Sequence, residues 1–180
     1  MEPEQIQKQS IFKKMLQPKV MLILLVLVVV VAGVGYAAME KASDKPAFCA
    51  NCHNMQPYYD SWHEGNLLAK KHAEAKVNCH DCHEPSFTQQ ADEGIKYVTG
   101  NFETPLKKRE FPKEFCLKCH DYEQVKAKTN FGKSNPHDSH NGEQDCNKCH
   151  NMHQQSKIQC AECHTFPWMK KLDDSWQKGK

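Results

Sequence analysis

The unit C-x-x-C-H occurs five times in this chain, at residues 49–53, 79–83, 116–120, 146–150 and 160–164, and it accounts for all ten cysteines. Three chemistries use cysteines paired in this way. Disulfides form in oxidising compartments, but they do not call for a histidine after each pair. Zinc takes two such pairs per tetrahedral thiolate site, which leaves one pair of the five over and the histidines unexplained. With 11 histidines in 180 residues, five chance placements have a probability on the order of one in a million, and C-x-x-C-H is the haem-attachment signature. Two thiols bond to one porphyrin edge, and the histidine that follows lies under the iron as proximal ligand.

The expectation is therefore five covalently bound haem c groups, held by Cys49, Cys52, Cys79, Cys82, Cys116, Cys119, Cys146, Cys149, Cys160 and Cys163. The proximal histidines are His53, His83, His120, His150 and His164. Composition agrees. Mean hydropathy is −0.77 although residues 20–39 are almost purely apolar, so the remainder is too polar for the aliphatic core that a domain of this size normally builds. Flat apolar macrocycles would take the place of that core. The gaps between units are 25, 32, 25 and 9 residues, so the haems must pack close together, an arrangement suited to electron transfer. No glycine-rich nucleotide loop and no nucleophile triad is present. The net charge of +2, spread over interspersed lysines and acids, gives no basic block for nucleic acid.

Val20 to Met39 is twenty residues without a charge, long enough at helical rise to cross a bilayer core. Lys13, Lys14 and Lys19 precede it, and lysines on a short leading segment keep that side in the cytoplasm. A cleaved signal peptide is the competing reading, with "GYA" as a weak cleavage site, but its apolar core would exceed the usual length. The expected organisation is a cytoplasmic segment 1–19, a transmembrane helix 20–39, a linker 40–47 and a periplasmic pentahaem domain 48–180, at the bacterial inner membrane. The fold class is mainly α with much irregular structure. Residues 56–76 and 88–102 carry helical sequence, and no long alternating stretch argues for a sheet.

Each iron normally takes a second axial ligand. His63, His72, His80, His137, His140 and His153 lie outside the proximal positions. His137, His140 and His153 flank the fourth unit and are the first choices, with His63 the fourth and His72 in reserve. His80 sits between the cysteines of its own unit, where reaching another iron is awkward. Met55 stands two residues beyond His53. From that offset it either competes with His53 for the iron or simply packs, as methionines often do. Met152 has the same offset from His150.

The order of anchor, short linker, "FCANCHNM", "SWHEGN" and "VNCHDCHEP" resembles the NapC/NirT family of membrane-anchored multihaem quinol dehydrogenases, the NrfH- and CymA-like proteins. The resemblance covers roughly residues 18–120. It implies that Met55 ligates a first haem lying against the membrane, that His63 is a distal ligand, and that Lys96 and Glu103 serve a quinol pocket. Seven residues apart, those two would share a face if one helix ran through both. The C-terminal stretch resembles soluble periplasmic multihaem cytochromes, including NrfB and the haem domain of flavocytochrome fumarate reductases, which implies His137, His140 and His153 as distal ligands. The implied function is oxidation of menaquinol or ubiquinol from the membrane pool, with electrons relayed to a periplasmic reductase or cytochrome in anaerobic respiration. An anchored carrier fed by another quinol-oxidising protein is the alternative, and a terminal reductase a third reading. Membrane lipid is an expected partner and nucleic acid is not.

Overall fold

The computed structural model describes residues 17–177. Residues 1–16, with Lys13 and Lys14 and most of the expected cytoplasmic segment, lie outside the described residues. The chain divides into two compact parts, Met1–Phe48 and Cys49–Lys180.

The first part is dominated by α1, Pro18–Ser43. Proline at the first helical position needs no amide partner, and Lys41 in the last turn complements the helix dipole. At 26 residues the helix is about 39 Å long. It overruns the apolar stretch at both ends, and the segment expected as a linker is helical as far as Ser43. The side chains from Met21 to Val31 are all exposed, as lipid-facing residues of a lone span should be. Helix α2, Pro46–Cys49, delivers the first attachment cysteine.

The second part is short helices joined by irregular chain: α3 (Gln56–His63), α4 (Leu68–Glu74), α5 (Cys79–Cys82), α6 (Phe87–Thr99), α7 (Lys113–Cys116) and α8 (Tyr122–Lys128). Short 3₁₀ turns follow at Cys146–Lys148, Gln159–Glu162 and Pro167–Lys171. Among the described residues the one β pairing is an isolated parallel bridge between Ser156 and Trp176. The expected single helix over 56–76 is broken in two. A Cβ on Gly65 would lie 2.8 Å from the Ser61 carbonyl oxygen, so the chain can fold back there only without a side chain, and α3 and α4 form a hairpin.

Hydrophobic side chains contribute little to the interior. Among the described residues, Ala69 (4% exposed) and Trp168 (8%) are the buried apolar ones, beside buried Ser43, Ser61, Ser156 and Ser175. Polar ties do much of the positioning. Ala69 N–H donates to the Met152 carbonyl (3.0 Å), which joins α4 to the fourth unit. Asn147 Nδ2 donates to Glu110 (2.6 Å) and to the Phe111 carbonyl (3.0 Å). Near the C-terminus, Ser156 N–H donates to the Ser175 carbonyl and Gln177 N–H to that of Ser156, each at 2.8 Å. This clip sets Trp176 against the ring of His150.

Candidate haem sites

Four of the five attachment units are built alike. The amide of the histidine closes one helical turn onto the carbonyl of the first cysteine: His83 to Cys79 (2.8 Å), His120 to Cys116 (3.1 Å), His150 to Cys146 (2.8 Å) and His164 to Cys160 (2.9 Å). That turn places both thiols and the imidazole on one side of the backbone. In the first unit the His53 amide instead points to the hydroxyl of Tyr97 (3.4 Å), and the Met55 amide takes the Cys52 carbonyl (2.8 Å).

The same four histidines each face a second histidine. The ring centroids are 6.1 Å apart for His72–His120, 6.2 Å for His83–His153, 6.0 Å for His137–His150 and 6.0 Å for His140–His164. A metal–nitrogen bond of about 2 Å on each side, plus about 1 Å from nitrogen to ring centre, puts two axial imidazoles about 6 Å apart. The four pairs fit an iron held between them.

Hydrogen bonds fix the tautomer that leaves Nε2 bare in three of the four facing rings. His72 Nδ1 lies 2.9 Å from the Leu68 carbonyl, which can only accept, so Nδ1 carries the proton and Nε2 is bare. The Thr129 hydroxyl has carbonyl-type acceptors at Val125 (2.8 Å) and Asn135 (3.1 Å) for its one proton. Its oxygen therefore accepts from His137 Nδ1–H (2.9 Å). Ser61 Oγ donates to the Tyr58 carbonyl (2.7 Å) and accepts from His153 Nδ1–H (2.7 Å). Partners of this kind orient metal-binding histidines and raise their basicity. Burial favours the neutral ring as well: it pushes His150 and His153 down to about 4, and His83 and His137 below their ordinary value.

His63 stands apart from the four pairs. It is exposed, stacks on Tyr59 (5.3 Å) and lies 3.3 Å from Glu64. His80 lies within α5, between Cys79 and Cys82. His53 is exposed, and its Nδ1 is 2.9 Å from the Tyr97 hydroxyl. Tyr97 and Phe102 stack on one another (5.6 Å) beside it. Met55 is half-buried and caps the start of α3. Helix α6 stops at Thr99, where Gly100 takes a left-handed conformation (φ 72°). Lys96 and Glu103 therefore do not lie on one helix face. Lys96 pairs with Asp92 (2.6 Å), whose carboxylate raises its pKa, while Glu103 is exposed beyond the helix end. Sequence reasoning missed Tyr97, Phe102, Ser61 and Thr129. Only the aromatic and hydroxyl character of those side chains was on view, with nothing in local spacing to tie them to a distant histidine.

The Cys49 and Cys79 thiols are hydrogen-bonded, and the bond lowers the pKa of Cys49 to about 6 and raises that of Cys79. Cys82 lies near Cys119, Cys116 beside Cys146, and Cys160 near Cys149.

Residues 12–104 match the N-terminal region of the NapC/NirT cytochrome c family, and residues 71–165 match the cytochrome c3 family. The cytochrome c-type protein Cgr1 of Eggerthella lenta is 30% identical over 174 residues, covering 78% of this chain and 79% of that protein. The acrylate reductase cytochrome subunit of Shewanella woodyi is 29% identical over 99 residues, covering 52% of this chain and 68% of the subunit. The cytochrome c-type protein TorY of Escherichia coli O157:H7 is 24% identical over 185 residues, covering 86% of this chain and 47% of TorY. No solved structure matches the chain. Its paired cysteines provide several sites for covalent haem c behind a single apolar membrane helix, and the chain belongs to the NapC/NirT cytochrome c family, continued by a cytochrome c3-like multihaem region.

Proposed function

We propose that this is a membrane-anchored pentahaem cytochrome c that oxidises quinol at its first haem and relays electrons to a periplasmic reductase or cytochrome. When bound, haem c supplies one-electron redox chemistry. In this reading the pairs His120/His72, His83/His153, His150/His137 and His164/His140 would hold four haem irons. The observation that carries the reading is the difference of the first unit. Its histidine has Tyr97 and Phe102 where the others have a second imidazole, and its turn opens onto Met55.

The stacked rings of Tyr97 and Phe102 offer a flat apolar wall against which a quinol ring can lie. Quinol oxidation releases two protons with its two electrons, and the hydrogen-bonded His53 and Tyr97 can accept and pass them on. Met55, two residues beyond His53, would be the ligand of this haem that the family resemblance implies. Lys96 and Glu103 remain candidates for steps further from the ring. The haem-bearing part lies on the periplasmic face of the bacterial inner membrane in this account.

The carrier reading draws on the Lys96–Asp92 pair, which has the form of an ordinary surface ion pair on α6. Anaerobic mixing of the purified protein with a menaquinol analogue, followed in the haem absorption bands, separates the two. Quinol oxidation predicts prompt reduction, slowed in Tyr97→Phe and more weakly in Lys96→Ala, with dithionite still reducing every haem. An intact protein that dithionite reduces and the quinol does not would overturn the proposal in favour of the carrier.

A further inference from the structure

The four facing histidine pairs differ in how their rings are turned. The angle between ring planes is 7° for His137–His150 and 23° for His83–His153, but 77° for His72–His120 and 70° for His140–His164. Two pairs are near parallel and two are near perpendicular. In the order of the second to fifth attachment units the two classes alternate, beginning with the near-parallel pair at His83. The angle has chemical content. Two parallel imidazole planes donate into the same iron d orbital, which stabilises the ferric state. Crossed planes divide that donation between two orbitals and favour ferric iron less.

An imidazole keeps its orientation only where its surroundings hold it. His137 is held by the Thr129 hydroxyl (2.9 Å). His150 is met by the indole of Trp176, with centroids 5.0 Å apart and planes at 72°, the edge-to-face arrangement that aromatic rings prefer. Trp176 is itself fixed through the backbone. Asn151 N–H donates to Ser156 Oγ (3.2 Å) and Lys157 N–H to the Cys149 carbonyl (2.8 Å), which ties Ser156 to the fourth unit. Ser156 in turn exchanges bonds with Ser175 and Gln177, the residues on either side of Trp176. Ser156 is 0% exposed and Ser175 1%, so water does not compete for these bonds. Asp173 accepts from the Ser175 amide (3.0 Å) and pairs with Lys71, which secures the segment from its other side. With both neighbours fixed, the indole stays in place, and rotation of the His150 ring would have to displace it.

We infer that Trp176 is a positioning residue for the electron relay. It holds the His150 ring parallel to that of His137, and so keeps the haem at Cys146/Cys149 lower in potential than crossed ligands would leave it. The inference rests on the reading that His150 and His137 share one iron. It is independent of whether quinol is the electron donor.

The test uses the full-length, haem-loaded protein in detergent, with electron paramagnetic resonance and redox titration as readouts. Near-parallel ligands give a rhombic low-spin signal, and near-perpendicular ligands a strongly anisotropic one at low field. His137→Ala identifies the signal in question, because one rhombic signal should disappear. If every rhombic signal persists, the His137/His150 pairing fails and the inference falls with it. Trp176→Leu should move that same signal toward the anisotropic class and raise the potential of that one haem, with haem content and the other signals unchanged. Trp176→Phe keeps an aromatic edge and should stay near the parent in both readouts. A leucine variant with the parent's signal and potential would overturn the inference and leave the pairing standing. Equal changes in the leucine and phenylalanine variants would overturn it as well, since lost bulk alone would then be the cause. Should leucine cost a haem, Trp176→Met, a longer and more adaptable filler, carries the same comparison.

Discussion

Replacing Thr129 by valine tests the tautomer argument with little change in shape. The hydroxyl is the acceptor for His137 Nδ1–H (2.9 Å) and spends its own proton on nearby carbonyl groups. Valine keeps the branched shape and removes the acceptor. A typical hydrogen bond contributes about 0.5–1.5 kcal/mol net. The bond to Nδ1–H makes the imidazole a stronger donor and so favours oxidised iron. If its full worth falls on the oxidised state, its loss raises the midpoint potential of the haem held by His150 and His137 by about 20–60 mV for a one-electron couple. Redox titration of the purified protein, followed by absorbance and electron paramagnetic resonance, should show one haem displaced upward and the others unmoved. Thr129→Ser keeps the hydroxyl and should stay near the original potential. Equal shifts in the valine and serine variants, or a downward shift in valine, would refute the reasoning.

Single alanine replacements of His72, His137, His140 and His153 should each convert one low-spin haem to a high-spin or otherwise ligated form in the electron paramagnetic resonance spectrum. The same replacement of His63 should leave the low-spin signals intact. Gly65→Ala drives a Cβ into the Ser61 backbone, with an expected cost of about 1–3 kcal/mol in thermal unfolding; because Ser61 holds His153, the haem at Cys79/Cys82 should be disturbed first. Asp173 bonds Lys71 (2.5 Å) and Ser175, and these partners hold its pKa down to about 2. A carboxylate lowered on folding stabilises above its unfolded pKa of about 4 and loses that contribution as pH falls toward 2. Hydrogen-exchange protection factors over residues 156–177, taken relative to the intrinsic rate at each pH, should therefore fall across that window, and in Asp173→Asn they should already be low at neutral pH with little further response to acid.

The parts of this molecule that local spacing controls were legible before any coordinates. Two cysteines and a histidine within five residues form the same turn in four of the five units, and a twenty-residue uncharged run specifies its own helix. The helical class and absence of a sheet among the described residues follow from the same local patterns. Pairing across the fold was not legible, because His72 meets His120 across 48 positions and His83 meets His153 across 70. What brings those rings together is the bend at Gly65 and the tie from Ala69 to Met152, features with no periodic signature. The geometry pairs His72 with an attachment histidine and leaves His63 on the surface, whereas spacing had ranked them the other way. In the same manner the helix expected to run on past Gly100 stops there, which takes Glu103 off the face of Lys96 and turns attention to Tyr97.

The departure of the first unit from the other four makes chemical sense as a division of labour along one chain. An imidazole on each face of an iron leaves no position for a substrate, so such a site can only exchange electrons with its neighbours. In the proposed reading four units would have that form, and their cysteines are neighbours: Cys82 lies near Cys119, Cys116 near Cys146 and Cys160 near Cys149. The remaining unit joins the series through Cys49 and Cys79. It stands at the end nearest the membrane helix in sequence, and its histidine is bonded to the Tyr97 hydroxyl. A relay needs one end where bond-making chemistry meets electron transfer and a body where nothing but electrons moves. In the proposed reading the His53 amide, directed to the Tyr97 hydroxyl and not to the Cys49 carbonyl, marks that end.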